Sequence, residues 1–461
     1  MTNFHDFVKT YDVRGLVGSQ LTDQVVECFG AAFVDELELS GKKLAVGHDM
    51  RDSSPGFAAA FAAGANKRGA NVVMLGLCST DMNYFASGSM DMPSAMFTAS
   101  HNPASYNGIK FSRAGARGIS LESGLAAIRD RAEAFLLNGV TLVESAGEIE
   151  FVDVMPEYVK YLLDLVPLDN VSPLKIVVDA ANGMGGLTVP AVLSHITALE
   201  IVPLYFELDG SFPNHEANPL DSKNLVDLQR KVLEIGADLG LAFDGDADRC
   251  FAIDEKGQAV TPSALAAIVS EREIQRVQKL GEQSPTVLHN LLTSRFVAET
   301  IVAAGAKPLQ TKVGHSLIKD KMAETSAVFG GEHSAHYYFR DFWGADNGML
   351  AAMHLISQLG NSELLMSELS AGYTPYFASG EVNSQVTDAK AALARAELAL
   401  SEATVEIFDG VTFSWEADGV WWWCNLRESN TEPLLRLNVE SNSLEVMRMV
   451  TKRALDAIAR N

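Results

Sequence analysis

The stretch Thr98-Ala99-Ser100-His101-Asn102-Pro103 sets a hydroxyl beside an imidazole, and Tyr106-Asn107-Gly108-Ile109-Lys110 brings an ammonium group within reach. A serine in that company can carry a transferable group as a covalent intermediate. A Ser–His pair alone more often marks an ordinary polar loop, so the rest of the chain has to decide. Asp244, Asp246 and Asp248 alternate in Asp244-Gly-Asp-Ala-Asp-Arg249. Three carboxylates that close repel one another unless a hard cation sits among them, and Mg2+ takes such oxygen ligands while keeping positions open for phosphate oxygen. An EF-hand loop competes, since Glu255 stands twelfth from Asp244. Its sharp turn needs Gly at the sixth place, however, and Arg249 is there. Arg427-Glu-Ser-Asn-Thr-Glu-Pro433 combines a guanidinium, two hydroxyls, an amide and turn N–H groups, a set that suits a phosphate dianion. Along Gly331-Glu-His-Ser-Ala-His336, read as one extended loop, Glu332 and Ser334 can offer an acceptor and a donor to neighbouring sugar hydroxyls. His315 and His336 fit structural roles equally well.

These groups need a scaffold. The apolar run 94–97 reads as a buried strand that delivers Ser100 to a loop tip, where Asn-Pro breaks regular structure and Asn107-Gly108 makes a tight turn. Helical patterns at 22–39 and 57–68 alternate with strands at 43–47 and 72–75, and the strand at 43–47 leads to Asp49 and Arg51. Such alternation implies an α/β unit with a mostly parallel sheet, whose ligand sites lie in the loops after the strands. The pattern recurs. A helix at 153–165 and a strand around 176–178 precede the glycine-rich 182–186, which reads either as a helix N-terminus facing phosphate or as a tight connection. Strands at 239–243 and 250–254 flank the aspartates. A third round holds a strand at 286–289, helices at 294–304 and 317–322, and the loop Lys312-Val-Gly-His-Ser316. From about 370 the texture becomes α+β, with a helix from 388 to 404 capped by Asp388, strands at 421–426 and 434–440, and a last helix at 444–459.

Composition narrows the function classes. The 461 residues, 47% hydrophobic and 21% charged, fit a globular chain of several domains. A net charge of −23 disfavours nucleic acid and anionic membranes, and makes any phosphate site a local concentration of cations and N–H groups. The polar start predicts no secretory signal, and no apolar run predicts a membrane span. Cys28, Cys78, Cys250 and Cys424 are isolated, as reduced cytoplasmic thiols would be.

Taken together, Thr98–Pro103 with Lys110, Asp244–Arg249, Gly331–His336 and Arg427–Pro433 resemble the four signature loops of the α-D-phosphohexomutases, in the right order and spacing over essentially the whole chain. The last two resemble the phosphomannomutase/phosphoglucomutase branch; phosphoglucosamine mutases usually show Gly after the Ser of the final loop. The resemblance implies three similar α/β domains with mixed, mostly parallel sheets (1–147, 148–256 and 257–368) and a C-terminal α+β domain (369–461) around a central cleft. It implies a phosphorylated Ser100 and one Mg2+ held between that phosphate and Asp244, Asp246 and Asp248. Arg249 and His101 would stand beside them, and Arg14 and Lys110 match positions proposed for proton transfer. Glu332 and Ser334 would hold sugar hydroxyls, and Arg427, Ser429, Asn430 and Thr431 the non-reacting phosphate. Tyr11, Gly314, His315 and His336 complete the implied substrate site. The substrates would be hexose 1- and 6-phosphates, mannose before glucose, with a hexose 1,6-bisphosphate as intermediate and activator, in a monomer or weak homodimer. Phosphoglucomutase as the main activity, a phosphohydrolase using the same seryl phosphate and a silent sugar-phosphate-binding protein are the alternatives. Where relatives often carry a Lys in the third domain, this chain reads Asn290-Leu-Leu-Thr293.

Overall fold

The computed structural model describes residues 3–428 and 434–459, and all their side chains except those of His315 and Ser316. Among the described residues the strands form four sheets. The first contains β1 (Val13–Leu16), β2 (Lys43–His48), β3 (Asn71–Leu77), β4 (Ser94–Phe97), β5 (Tyr106–Arg113), β6 (Arg117–Gly118) and β7 (Ile149–Phe151). The second contains β8 (Leu174–Asp179), β9 (Leu199–Leu204), β10 (Leu239–Phe243), β11 (Cys250–Asp254) and β12 (Ala259–Val260). The third contains β13 (Thr286–Asn290), β14 (Lys307–Thr311), β15 (Phe329–Gly331), β16 (Tyr337–Phe339) and β17 (Ala345–Asp346).

One plan runs through all three. Three parallel strands lie in the order third-first-second, and a fourth returns antiparallel beside the third. The sets are β5-β4-β2-β3, β11-β10-β8-β9 and β16-β15-β13-β14. β4, β10 and β11 are buried along their whole length, so they read as continuous apolar runs rather than alternations. Ser79, Thr261, Ser294 and Asn347 cap helices with their side chains, which fixes where each crossover begins. An aromatic cluster including Phe29, Phe33, Phe61, Phe97 and Phe111 fills the first domain. Domains two and three share a continuous core that also takes in Met82, Tyr84 and Phe85 of domain one.

The fourth sheet contains β18 (Phe377–Ala378), β19 (Val382–Gln385), β20 (Thr404–Ile407), β21 (Val411–Ala417), β22 (Val420–Glu428) and β23 (Leu434–Ser441), all paired antiparallel. Helices Ala389–Ala399 and Leu444–Ala459 pack on one face through Ala392, Ala396, Val450 and Ala454 against Trp422, Cys424 and Leu426.

Several local expectations change. Asp388 caps its helix, but the helix stops at Ala399 and Thr404 opens β20. Asn107 and Gly108 lie inside β5 instead of forming a turn. Gly108 is needed because a Cβ there would collide with the carbonyl oxygens of Val13 and Thr98 on the flanking segments. Arg427 sits on strand β22 rather than in a loop. β7 pairs with β3, so the first sheet reaches past the boundary at 147/148.

Candidate active site

Each of the three α/β domains contributes the same piece, the turn between its third parallel strand and the antiparallel return. β4–β5 carries Ser100, β10–β11 carries Asp244–Arg249, and β15–β16 carries Glu332–His336. The three turns converge. Arg249 and His336 pair as an isolated antiparallel bridge, so the second and third are joined through their backbones.

Ser100 has φ of 48° in a turn closed by Asn102 N–H donating to the Ala99 carbonyl at 2.9 Å. Its hydroxyl donates to Asp244 Oδ2 at 2.7 Å, and Arg249 Nη2 donates to Ser100 Oγ at 3.3 Å. His101 Nδ1 is 3.2 Å from the same oxygen and 2.5 Å from Arg249 Nη2. Burial, then the neighbouring Arg249 and Arg14 charges, hold the His101 imidazole well below its ordinary pKa. The serine is not on an exposed tip. It is only 5% exposed because the aspartate loop roofs it. Gly245 makes that roof possible, since a Cβ there would run into the Ser100 carbonyl. Gly183 serves the same closeness, and Met184 N–H donates to the Gly245 carbonyl at 2.9 Å, so the glycine-rich segment at 182–186 is a tight connection.

Asp244, Asp246 and Asp248 are fully buried, and ligand atoms from all three lie within 4.8 Å of one another. Burial raises the Asp244 carboxyl, with the charges of Asp248 and Asp246 adding to it against Arg249. Burial also opposes ionisation of Asp246, yet the Lys110 ammonium and the Thr80 hydroxyl hold its carboxyl far below the usual range. Asp246 Oδ1 and Asp248 Oδ1 are buried with no hydrogen-bond partner among the described residues. Unpaired carboxylate oxygens are costly inside a protein, and a hard divalent cation among them removes the cost. The residues therefore fit Mg2+. Lys110 reaches this loop rather than Ser100 itself, with Nζ 2.7 Å from Asp246 Oδ2 and 2.6 Å from Asp248 Oδ2. Arg14 reaches the serine loop through Asn102 Oδ1 at 2.7 Å.

On the third turn, Ala335 at φ 66° and the Ala335 N–H donating to the Glu332 carbonyl make a tight reversal, not an extended loop. The reversal brings the side chains together. Ser334 Oγ lies 3.1 Å from His336 Nδ1, which is 3.5 Å from Glu332 Oε2. Glu332 Oε2 accepts from the Tyr338 hydroxyl at 2.7 Å, and Oε1 accepts from Asn290 Nδ2 at 3.2 Å and from the Gly314 N–H at 3.4 Å. Asn290 thus braces the turn that carries Glu332. Tyr11 of domain one packs on Gly314, and burial, then Asp409 and Glu332, push its phenol up. From domain four, Arg427 has a buried Nε with no hydrogen-bond partner among the described residues. Arg436 stands directly opposite it on β23, with Nη1 3.6 Å from Glu381 Oε1. Ser429, Asn430 and Thr431 lie outside the described residues, as does the side chain of His315.

Arg51, Thr80, Tyr338 and Arg436 were not singled out as site residues from sequence. Thr80 N–H and Oγ1 both donate to Asp246, to its carbonyl at 3.1 Å and to Oδ2 at 2.6 Å. Its position at a helix start gives no local sign of that role. Arg51 was findable, as a basic residue just past a strand end.

The sequence matches the phosphoglucomutase/phosphomannomutase alpha/beta/alpha domain I over residues 6–135, domain II over 156–257, domain III over 261–376 and the C-terminal domain over 381–457. A phosphomannomutase from Salmonella montevideo is 35% identical over 463 residues, with 98% of each chain covered. A protein named phosphohexose mutases, from Xanthomonas campestris pv. campestris, is 38% identical over 439 residues, with 94% of each covered. The crystal structure of a phosphoglucomutase/phosphomannomutase family protein from Burkholderia thailandensis superposes with a TM-score of 0.87 at 28% identity, covering 100% of this chain and 99% of that one. With all four domains matched in order and relatives aligned over nearly their full length, the chain belongs to the phosphoglucomutase/phosphomannomutase family.

Proposed function

We propose that this chain is a phosphohexomutase that moves a phosphoryl group between O1 and O6 of a hexose phosphate, with mannose preferred and glucose also turned over. The observation that carries the reading is the Ser100 hydroxyl held between Asp244 Oδ2 at 2.7 Å and Arg249 Nη2 at 3.3 Å at the meeting of three turns. Ser100 is the phosphoryl carrier. A sugar hydroxyl attacks its phosphate, the P–O bond to Ser100 Oγ breaks, and Arg249 faces the charge left on that oxygen. Arg14 and Lys110 are the candidates for moving the proton of the attacking hydroxyl. Asp244, Asp246 and Asp248 would hold one Mg2+, which when bound draws charge from the phosphoryl oxygens. Glu332 and Ser334 grip sugar hydroxyls while Arg427, with Ser429, Asn430 and Thr431, holds the other phosphate. The bisphosphate then turns end for end and returns its second phosphate to Ser100, and added hexose 1,6-bisphosphate activates by loading that serine.

The division into 1–147, 148–256, 257–368 and 369–461, with the strand at 149–151 reaching back to the first sheet, gives one loop of the site to each domain. The free, buried cysteines suit a reducing compartment, and among the described residues no helix is long and apolar enough to cross a membrane. We place the protein in the cytoplasm, as a monomer or weak homodimer.

Glucose and mannose differ only at C2, while the grip assigned to Glu332 and Ser334 falls on hydroxyls that both share. A site that leaves no buried group unpaired cannot strongly reject the epimer. Parallel assays of the two 1-phosphates should give kcat/KM values within about a hundredfold, or about 3 kcal/mol. Intact mass after incubation with the bisphosphate should show one phosphate, on Ser100. Release of inorganic phosphate faster than isomerisation would replace the mutase reading with a hydrolase.

A further inference from the structure

We propose that Arg51 is the positioning residue that locks Ser100 in its reactive conformation and ties that conformation to the docking of domain two. That role presupposes Ser100 as the phosphoryl carrier. A guanidinium has five N–H donors, and in Arg51 all five are engaged. Nε donates to Asp49 Oδ2 at 3.2 Å, and Nη1 to the carbonyls of Pro103 at 2.9 Å and Tyr106 at 3.0 Å. Nη2 donates to the carbonyls of Ser100 at 2.9 Å and Asn102 at 2.7 Å. Asp49 is itself fixed by the Ser54 hydroxyl at 2.6 Å and the Arg51 N–H at 3.0 Å. Both charged groups are buried, Arg51 at 2% exposure and Asp49 at 0%.

Four carbonyls of one short loop are therefore drawn to a single planar group. Ser100 is a residue with a side chain at φ 48°, a conformation that L residues avoid unless their surroundings impose it. Pulling its carbonyl inward on Arg51 leaves the hydroxyl facing Asp244. From the other domain, the ring of Phe212 covers the guanidinium at 5.1 Å. Gly210 approaches so closely that a Cβ would lie 2.6 Å from Arg51 Cα. The Ser100 carbonyl is thus held between Arg51 on one side and Gly245 of the aspartate loop on the other. A lysine keeps the charge, but its three donors on one nitrogen cannot reach four carbonyls and a carboxylate.

The test compares Arg51→Lys and Phe212→Leu with wild type in the Mg2+-loaded, bisphosphate-activated mutase assay. Arg51→Lys should lower kcat about a hundredfold and leave KM for mannose 1-phosphate within about threefold. Phe212→Leu, which removes only the ring cover, should lower kcat about three- to fivefold with KM unchanged. In a Ser100→Ala background, adding Arg51→Lys should leave the Kd for glucose 1,6-bisphosphate unchanged, because positioning of the carrier no longer matters there. A wild-type kcat in Arg51→Lys overturns the proposal. So does a loss of bisphosphate affinity in the double variant, which would make Arg51 a general structural residue. If Arg51→Lys does not fold, Phe212→Leu decides, and an unchanged kcat there overturns the proposal. A wild-type protein that never carries phosphate on Ser100 overturns the mutase reading itself, whereas phosphorylated wild type with an indifferent Arg51→Lys overturns this role alone.

Discussion

Adding one methyl group at Gly245 should separate the serine loop from the metal loop without touching any reacting atom. The backbone there lies outside the left-handed region, so alanine can adopt it. A Cβ would, however, fall within 3.0 Å of the Ser100 carbonyl oxygen, a separation real Cβ atoms essentially never show, and 3.2 Å from its carbon. The Ala217 Cβ waits at 3.5 Å on the same side. The serine carbonyl cannot swing away freely because Arg51 Nη2 holds it at 2.9 Å. One loop must therefore retreat by about 1 Å, and a displacement of that size at a reacting centre costs on the order of a hundredfold in rate. Gly245→Ala should lower kcat by about that factor, or about 2.7 kcal/mol, with overpacking lowering stability by about 1–3 kcal/mol. KM for mannose 1-phosphate should stay within about threefold, since Glu332 and Arg427 sit on other domains. Steady-state kinetics with saturating Mg2+ and bisphosphate, alongside a thermal unfolding scan, reads both numbers. A kcat within about threefold of wild type would refute the idea that the Ser100–Asp244 contact sets the rate.

Ser100→Ala should abolish turnover while keeping affinity for a hexose 1,6-bisphosphate. Wild-type activity without added bisphosphate would remove the phosphoserine from the mechanism. Arg427→Ala should raise KM for both the 1-phosphate and the 6-phosphate, about tenfold or more for loss of a charge-assisted contact, and release more bisphosphate into solution. An effect on one substrate only would mean that the site does not serve both orientations. His215 Nε2 lies 3.0 Å from Asp179 Oδ2; burial opposes its protonation, but the hydrogen bond and charge of Asp179 outweigh it and raise the imidazole above its ordinary value. The pair's stabilisation is therefore complete below about pH 6.5 and fades as pH rises through the folded value. His215→Gln should cost more in Tm near about pH 5.5 than near about pH 8, and equal losses at both would dismiss the pair as a pH-dependent contact.

Much of the scaffold was legible because its signals are local. Buried strands such as Ser94–Phe97 and Leu239–Phe243 read directly as apolar runs, and Asp388 capped its helix as expected. What failed depended on partners outside the segment being read. Asn107-Gly108 has the chemistry of a turn, but its glycine answers to the carbonyls of Val13 and Thr98. Thr404 follows a helix-rich stretch, yet pairing with Ser414 draws it into a sheet. In the site, the three aspartates declared themselves by spacing. The ammonium of Lys110 was expected near Ser100 and instead bridges Asp246 and Asp248, a contact that only the docking of two domains creates. Arg51 was placed in the right loop, but no sequence pattern announces that one guanidinium will collect four carbonyls of a loop about fifty residues on.

The repeated hairpin also determines how this enzyme can fail. The Ser100, aspartate and Glu332 turns occupy equivalent slots in three copies of one connection, so each is shaped within its own domain, while the distances between them belong to the interfaces. A small tilt of one domain would carry its turn away from the other two and leave every strand paired, its cost confined to the core that the domains share. Secondary-structure probes would report an intact protein, and turnover would fall. Activity in such an architecture is a protractor, reading the angles between domains as much as the identity of the side chains at their tips.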